Sequence, residues 1–178
     1  MVVVIIGCGS IGRRHAQNLL KLGYNDIYFF RNRGTGNDLG IREIKKLNQL
    51  KKINPDLILI CTPTSNHFKY LEFCLKNDFN ILCEKPLVND ISEFEKLVPL
   101  VNESSSILRI SFNLRYHPCT IKVREILKKG LLGKINYSRF FVGQYLPDWR
   151  PHLNHLDSYS ANKDMGGGVL KDLIHEID

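Results

Sequence analysis

Long apolar runs are missing from this chain. None of its 178 residues belongs to a run approaching the roughly 20 apolar positions that a membrane-spanning helix needs. The apolar stretch 2–6 lacks the basic flank and cleavage site of a leader peptide. No membrane association is expected, and the reading is cytoplasmic. Paired cysteines are missing as well. Cys8, Cys61, Cys74, Cys83 and Cys119 make an odd set with no C-x-x-C spacing, which points to buried free thiols rather than disulfides or zinc. His152 and His155, in a Pro-bounded loop with Trp149 and Arg150, have no usual metal-ligand spacing, so no metal is expected. Concentrated basic charge is absent too. The net charge is +7, but Lys45, Lys46, Lys51, Lys52, Lys128 and Lys129 are scattered along helical stretches. That pattern reads as solvated faces and suits small anions rather than nucleic acid. Repeats and low-complexity tracts are also lacking.

What is present starts at the N-terminus. Five apolar residues at 2–6 read as a buried strand. Gly7-Cys8-Gly9-Ser10-Ile11-Gly12 follows, and then Ile11, His15, Leu19 and Leu22 recur at helical spacing up to a stop at Gly23. In a dinucleotide-binding unit the three glycines have separate tasks: a tight turn, close approach of backbone to a diphosphate, and close packing of helix on strand. The helix start, with Ser10 and Ile11, presents amides and a positive dipole end to the anion.

A second strand is expected at Ile27-Tyr28-Phe29-Phe30, ending at Arg31-Asn32-Arg33. An acid usually meets the ribose 2′-hydroxyl at this place. Here Arg31 and Arg33 stand instead, and a guanidinium suits a 2′-phosphate. The sequence therefore leans to NADP over NAD, with plain loop solvation as the competing reading. Ile41, Ile44, Leu47 and Leu50 predict a short amphipathic helix. Further strands are expected at 57–61, 80–83 and 106–110, with helices between them, one opened by an Asp90/Glu93 capping box. The alternation predicts an α/β fold of Rossmann type, a doubly wound parallel sheet over residues 1–117. Beyond it, 118–178 predicts a helix over 119–129, a long strand over 134–145, an irregular loop, and a helix from 169 to 178 after Gly166-Gly167-Gly168.

In order along the chain, these stretches resemble the Gfo/Idh/MocA family of NAD(P)-dependent oxidoreductases. The likeness is carried by Gly7, Gly9 and Gly12, by Thr62-Pro63 with His67, and by Glu84-Lys85-Pro86. Asn113-x-Arg115-Tyr116-x-Pro118, Gly130-Leu131-Leu132-Gly133-Lys134, and Gly166-Gly167-Gly168 with Asp172 and His175 extend it. His175 follows Asp172 by three residues rather than the more usual four, a spacing similar to members tied to surface-polysaccharide or flagellar sugar synthesis. The resemblance implies a hydride-transferring enzyme acting on a sugar, sugar nucleotide or polyol. It also implies a nicotinamide cofactor held by the glycine turn, Thr62, Pro63, His67, Glu84 and Lys85. Family members carry a larger C-terminal α/β sheet that receives substrate and often pairs subunits. Residues 118–178 are therefore expected to be an incomplete start of that domain, with turnover and homo-oligomerisation weakened.

Alcohol oxidation needs a base for the hydroxyl proton and a group that steadies the oxyanion. A histidine titrates in the range the base requires. The expected roles are His175 as acid/base, Lys85 as polarising partner and Asp172 as orienter, with the hydride chemistry belonging to the cofactor. The bland readings stand beside these: Lys85 as a surface residue beside a proline turn, His67 fixing a loop, His15 in a structural role, and Asp172 and His175 on a solvated helix face. Two other functions compete, a dinucleotide-binding module without turnover and a methyltransferase. Arg31 argues against the second.

Overall fold

β1 (Val3–Ile6) is the centre of a six-stranded parallel sheet in a computed structural model that describes residues 1–32, 34, 36–149 and 154–178. The other strands are β2 (Ile27–Phe30), β3 (Arg42–Ile44), β4 (Leu57–Ile60), β5 (Ile81–Cys83) and β6 (Leu108–Ile110). Their order is β3-β2-β1-β4-β5-β6, with every pair parallel, the doubly wound arrangement expected from the sequence. All four β1 side chains are fully buried, because the sheet is covered on both faces. Val4, Ile6, Phe30, Ile58 and Ile60 pack into one layer with Leu71, Cys74 and Leu97 of the helices α3 (His67–Leu75) and α4 (Ile91–Glu103). Val3, Ile5, Ile27, Phe29 and Leu59 form the opposite layer with Ala16 of α1 (Ser10–Lys21). One side chain in two goes to each layer, as the strand period requires.

The local signals explain the element ends. Gly23 adopts φ +86° after α1, and the Tyr24 amide reaches back to the Leu19 carbonyl, closing the helix. Asp90 accepts a hydrogen bond from the Glu93 amide at the start of α4 (3.0 Å), while the Glu93 carboxylate accepts from the Asn89 amide (2.8 Å). Residues 41–50 are not a helix but β3 followed by the one-turn-and-a-half α2 (Gln49–Ile53). Apolar residues three apart fit a helix, yet Ile44 is buried by pairing with Phe30 of β2. A partner supplied from elsewhere in the chain decided the structure.

The chain forms two compact units, Met1–Ser111 and Phe112–Asp178. The second contains α5 (Pro118–Lys128), a series of single 3₁₀ turns, and α6 (Val169–Asp172). His117 caps α5 by accepting from the Cys119 amide, with Pro118 at the first helical position. The strand expected at 134–145 is not formed, because nothing among the unit's described residues pairs with it and a lone strand leaves its ladder unsatisfied. The helix expected over 169–178 stops at Asp172. Leu173 leaves helical geometry, and a separate turn covers Ile174–Glu176. Val169 and Leu170 are exposed, so no packed face extends the helix. Cys119 is exposed, against the expectation of burial. No helix among the described residues is long and apolar enough to cross a membrane.

Candidate functional site at the carboxyl edge of the sheet

Main-chain bonds continue the ladder one residue past the strand ends. The Gly7 amide donates to Phe30, Cys61 to Ile6 (2.8 Å), Glu84 to Ile60 (2.9 Å) and Ser111 to Cys83 (2.8 Å). The glycine turn, Thr62 and Lys85 are thereby aligned along one edge, the edge where open α/β sheets bind ligands.

Gly7 and Gly12 do the structural work that the sequence suggested. Gly7 has φ +106°, and a Cβ there would lie 2.8 Å from the Cys61 carbonyl oxygen. A Cβ on Gly12 would lie 2.1 Å from the Gly7 carbonyl oxygen, so only glycine lets α1 come this close. A Cβ on Gly9 would meet no described atom within 4 Å, which leaves open space against the turn. The first intrahelical bond runs from the Arg13 amide to the Gly9 carbonyl. The Ile11 and Gly12 amides thus precede the helix's own ladder, and no acid stands in the first turn to oppose an anion. Beside this turn, Thr62 Oγ1 is buried with no hydrogen-bond partner among the described residues. An open cradle, helix-start amides and an orphan hydroxyl fit a dinucleotide diphosphate.

Lys85 stands two residues past the end of β5 and is joined to Pro86 by a cis peptide bond. The residue before it, Glu84, takes a hydrogen bond from His15 of α1 at 2.8 Å, with side chains 17% and 25% exposed. Burial would raise the Glu84 pKa, but the hydrogen bond and charge of His15, the Ser111 hydroxyl and the Lys85 amide outweigh it and hold the carboxyl below its usual range. His67 is 1% exposed. Its Nδ1 lies 2.9 Å from the Pro86 carbonyl and its Nε2 2.9 Å from the Thr62 carbonyl, so the ring ties the two edge loops together. Burial pushes its pKa down, although both carbonyls and the Glu84 charge act in the opposite direction.

Beside the end of β2 lies an acid that the sequence reading missed. Arg31 Nη1 donates to the Gly36 carbonyl at 2.8 Å and lies 3.4 Å from Glu43 Oε1. Glu43 also accepts from Asn37 and Lys45, which keep its carboxyl below the usual range. An acid is therefore present after all, supplied by β3 rather than by the end of β2. Reading 41–50 as a helix concealed it, although pairing Phe29 with Glu43 brings it there. Arg33, Arg150 and His152 lie outside the described residues.

In the second unit, the Asp172 carboxylate accepts from the Ser160 hydroxyl at 2.5 Å, and His175 Nε2 lies 3.5 Å from Glu176 Oε1. Arg115 forms a two-pronged ion pair with Asp178, which lowers the Asp178 pKa. Gly167 packs so closely that a Cβ would lie 2.0 Å from the Tyr159 carbonyl oxygen.

The strand order and the glycine turn together define a dinucleotide-binding Rossmann domain. Residues 1–112 match the oxidoreductase family described by its NAD-binding Rossmann fold, and the chain belongs to this Gfo/Idh/MocA family. It is 26% identical over 187 residues to myo-inositol 2-dehydrogenase of Thermotoga maritima, covering 100% of the chain and 53% of that protein. It is 30% identical over 179 residues to UDP-N-acetylglucosamine 3-dehydrogenase of Acidithiobacillus ferrooxidans, covering 98% of the chain and 51% of the relative. The crystal structure of myo-inositol 2-dehydrogenase from Lactobacillus plantarum superposes with a TM-score of 0.68 at 26% identity, covering 76% of this chain and 43% of that one. The chain thus spans about half the length of the curated relatives it matches.

Proposed function

We propose that the chain binds NAD(P) at the carboxyl edge of its sheet and belongs to an enzyme that oxidises a secondary alcohol of a sugar, sugar nucleotide or polyol, or reduces the matching ketone. The observation that carries this reading is the shared edge: the ladder aligns the glycine turn, Thr62 and the Glu84-Lys85 segment along one line. The amides at Gly9, Ser10, Ile11 and Gly12 hold the diphosphate. Thr62 and Pro63 line the same crevice, and His67 holds their loop. Bound nicotinamide supplies the hydride acceptor or donor. The Lys85 ammonium hydrogen-bonds the reacting oxygen and favours its anionic form. His175 takes or returns the hydroxyl proton, and Asp172 orients it. The dehydrogenase names of the relatives support the substrate class, and surface-polysaccharide or flagellar sugar synthesis is one setting for such chemistry. Residues 1–117 form the cofactor domain and 118–178 the opening of the substrate domain.

Two observations bear on the cofactor's ribose. The Arg31 guanidinium suits a 2′-phosphate and so NADP, whereas Glu43 beside it suits a free 2′-hydroxyl and so NAD. Fluorescence titration with NADPH and NADH tests the reading. Binding of either supports it, and the tighter one assigns the ribose. Binding of neither refutes it. Absorbance at the nicotinamide band with sugars, polyols and UDP-sugars then separates an enzyme from a binding module without turnover.

A further inference from the structure

The two residues that flank Lys85 are each held by a histidine reaching in from a different helix. Behind Lys85, the Glu84 carboxylate meets His15 of α1 at 2.8 Å. Ahead of it, the Pro86 carbonyl meets His67 of α3 at 2.9 Å. The His67 contact joins two loops. The Glu84 contact joins the lysine segment to α1, the helix whose first turn forms the diphosphate cradle. Glu84 and His15 are 69 residues apart in sequence and both are largely shielded from water, where a charge-assisted hydrogen bond holds its geometry firmly. The Ser111 hydroxyl gives the same carboxylate a second anchor at the end of β6.

We propose that Glu84 is a positioning residue that, through His15, couples occupancy of the diphosphate cradle to the placement of the Lys85 ammonium. The inference rests on the cofactor reading above and assigns Glu84 a task other than touching the cofactor. Binding at the cradle steadies the first turns of α1, α1 carries His15, and His15 holds the carboxylate one peptide before Lys85. Neither partner needs to contact the dinucleotide.

The test reads the Lys85 amine directly. The purified chain is acylated with limiting acetic anhydride, with and without saturating NADH, and the rate at Lys85 is followed by peptide mass spectrometry. NADH affinity is measured in parallel by fluorescence. In the unmodified chain, NADH is expected to change the Lys85 acylation rate by about fivefold or more, the low end of measured site-to-site coupling. In Glu84→Ala and His15→Ala, each read at an NADH concentration that saturates that variant, the effect is expected to fall below about twofold against that same scale. Glu84→Gln, whose amide oxygen can still accept from His15, is expected to retain most of it, which a general loss of structure would not reproduce. Should Glu84→Ala keep the full NADH effect on Lys85, the coupling is refuted while the cofactor reading stands. Should NADH bind the unmodified chain without altering Lys85, the placement of the lysine at the cofactor site falls, and the coupling with it. Should NADH fail to bind at all, both are refuted.

Discussion

Residues 1–111 and residues 112–178 are built to different standards of burial. Among the described residues, every buried apolar side chain of the core lies between Val3 and Leu97. The second unit buries none: Ile121, Val123 and Leu127 of α5 are all exposed, and Tyr137, Phe140, Phe141 and Tyr145 are 72–86% exposed. The hydrophobic content of the two stretches does not account for this. The first has a sheet to pack against, so each strand and helix finds a covering partner. The second has aromatic residues at 137–145 and, among the described residues, no strand for them to pack against. Composition alone does not make a core; topology has to supply the opposing face.

The comparison is broken most sharply by truncating one aromatic in each unit. Phe29→Ala is expected to cost about 3–5 kcal/mol in urea unfolding, because the ring is fully buried. Phe141→Ala should stay within about 0.5 kcal/mol, since that ring is 86% exposed. A large loss at Phe141 would show that the second unit buries it in solution. A smaller contrast lies inside the glycine turn. Gly12→Ala should destabilise by about 1–3 kcal/mol, because overpacking meets main chain rather than a movable side chain. Gly9→Ala has room for its methyl group and an ordinary φ of −78°. It should leave stability nearly unchanged yet weaken NADH binding about tenfold, or about 1.4 kcal/mol, by filling the space the diphosphate takes.

The smallest expected effect is the pH dependence that His67 and Glu84 give the first unit. Burial depresses the His67 pKa, so the unfolded chain binds that proton more readily than the folded one. The His67 contribution is complete above about pH 6.5 and is lost progressively as the pH falls from there toward the folded-state value. Glu84 is depressed as well; its contribution is present above about pH 4.3 and fades only below that. Thermal melts between about pH 7 and pH 5 should show a decline that His67→Gln flattens, while Glu84→Gln acts only at lower pH.

The parts of this structure that could be read in the sequence are those that local chemistry decides. β1, the glycine turn, α1 and the Gly23 stop lie within one stretch and carry their own signals. Five of the six strands were placed this way, and the Asp90 cap was as well. The errors have a common cause. β3 escapes a local reading because its identity comes from β2, and the strand expected at 134–145 does not form because no strand among the described residues pairs with it. In the candidate site, Lys85 and the glycines were legible from motif and position. The Glu84–His15 pair, the Ser111 anchor and Glu43 beside Arg31 were not. Each joins residues that no periodicity connects.

The two outermost strands, β3 and β6, have three residues each, and each places an arginine in the open, Arg42 on one flank and Arg109 on the other. So short a margin offers few main-chain groups to an incoming segment. Growth of the layer by adding strands from neighbouring molecules is therefore disfavoured at both ends. The nucleotide-binding half thereby keeps its six-stranded width.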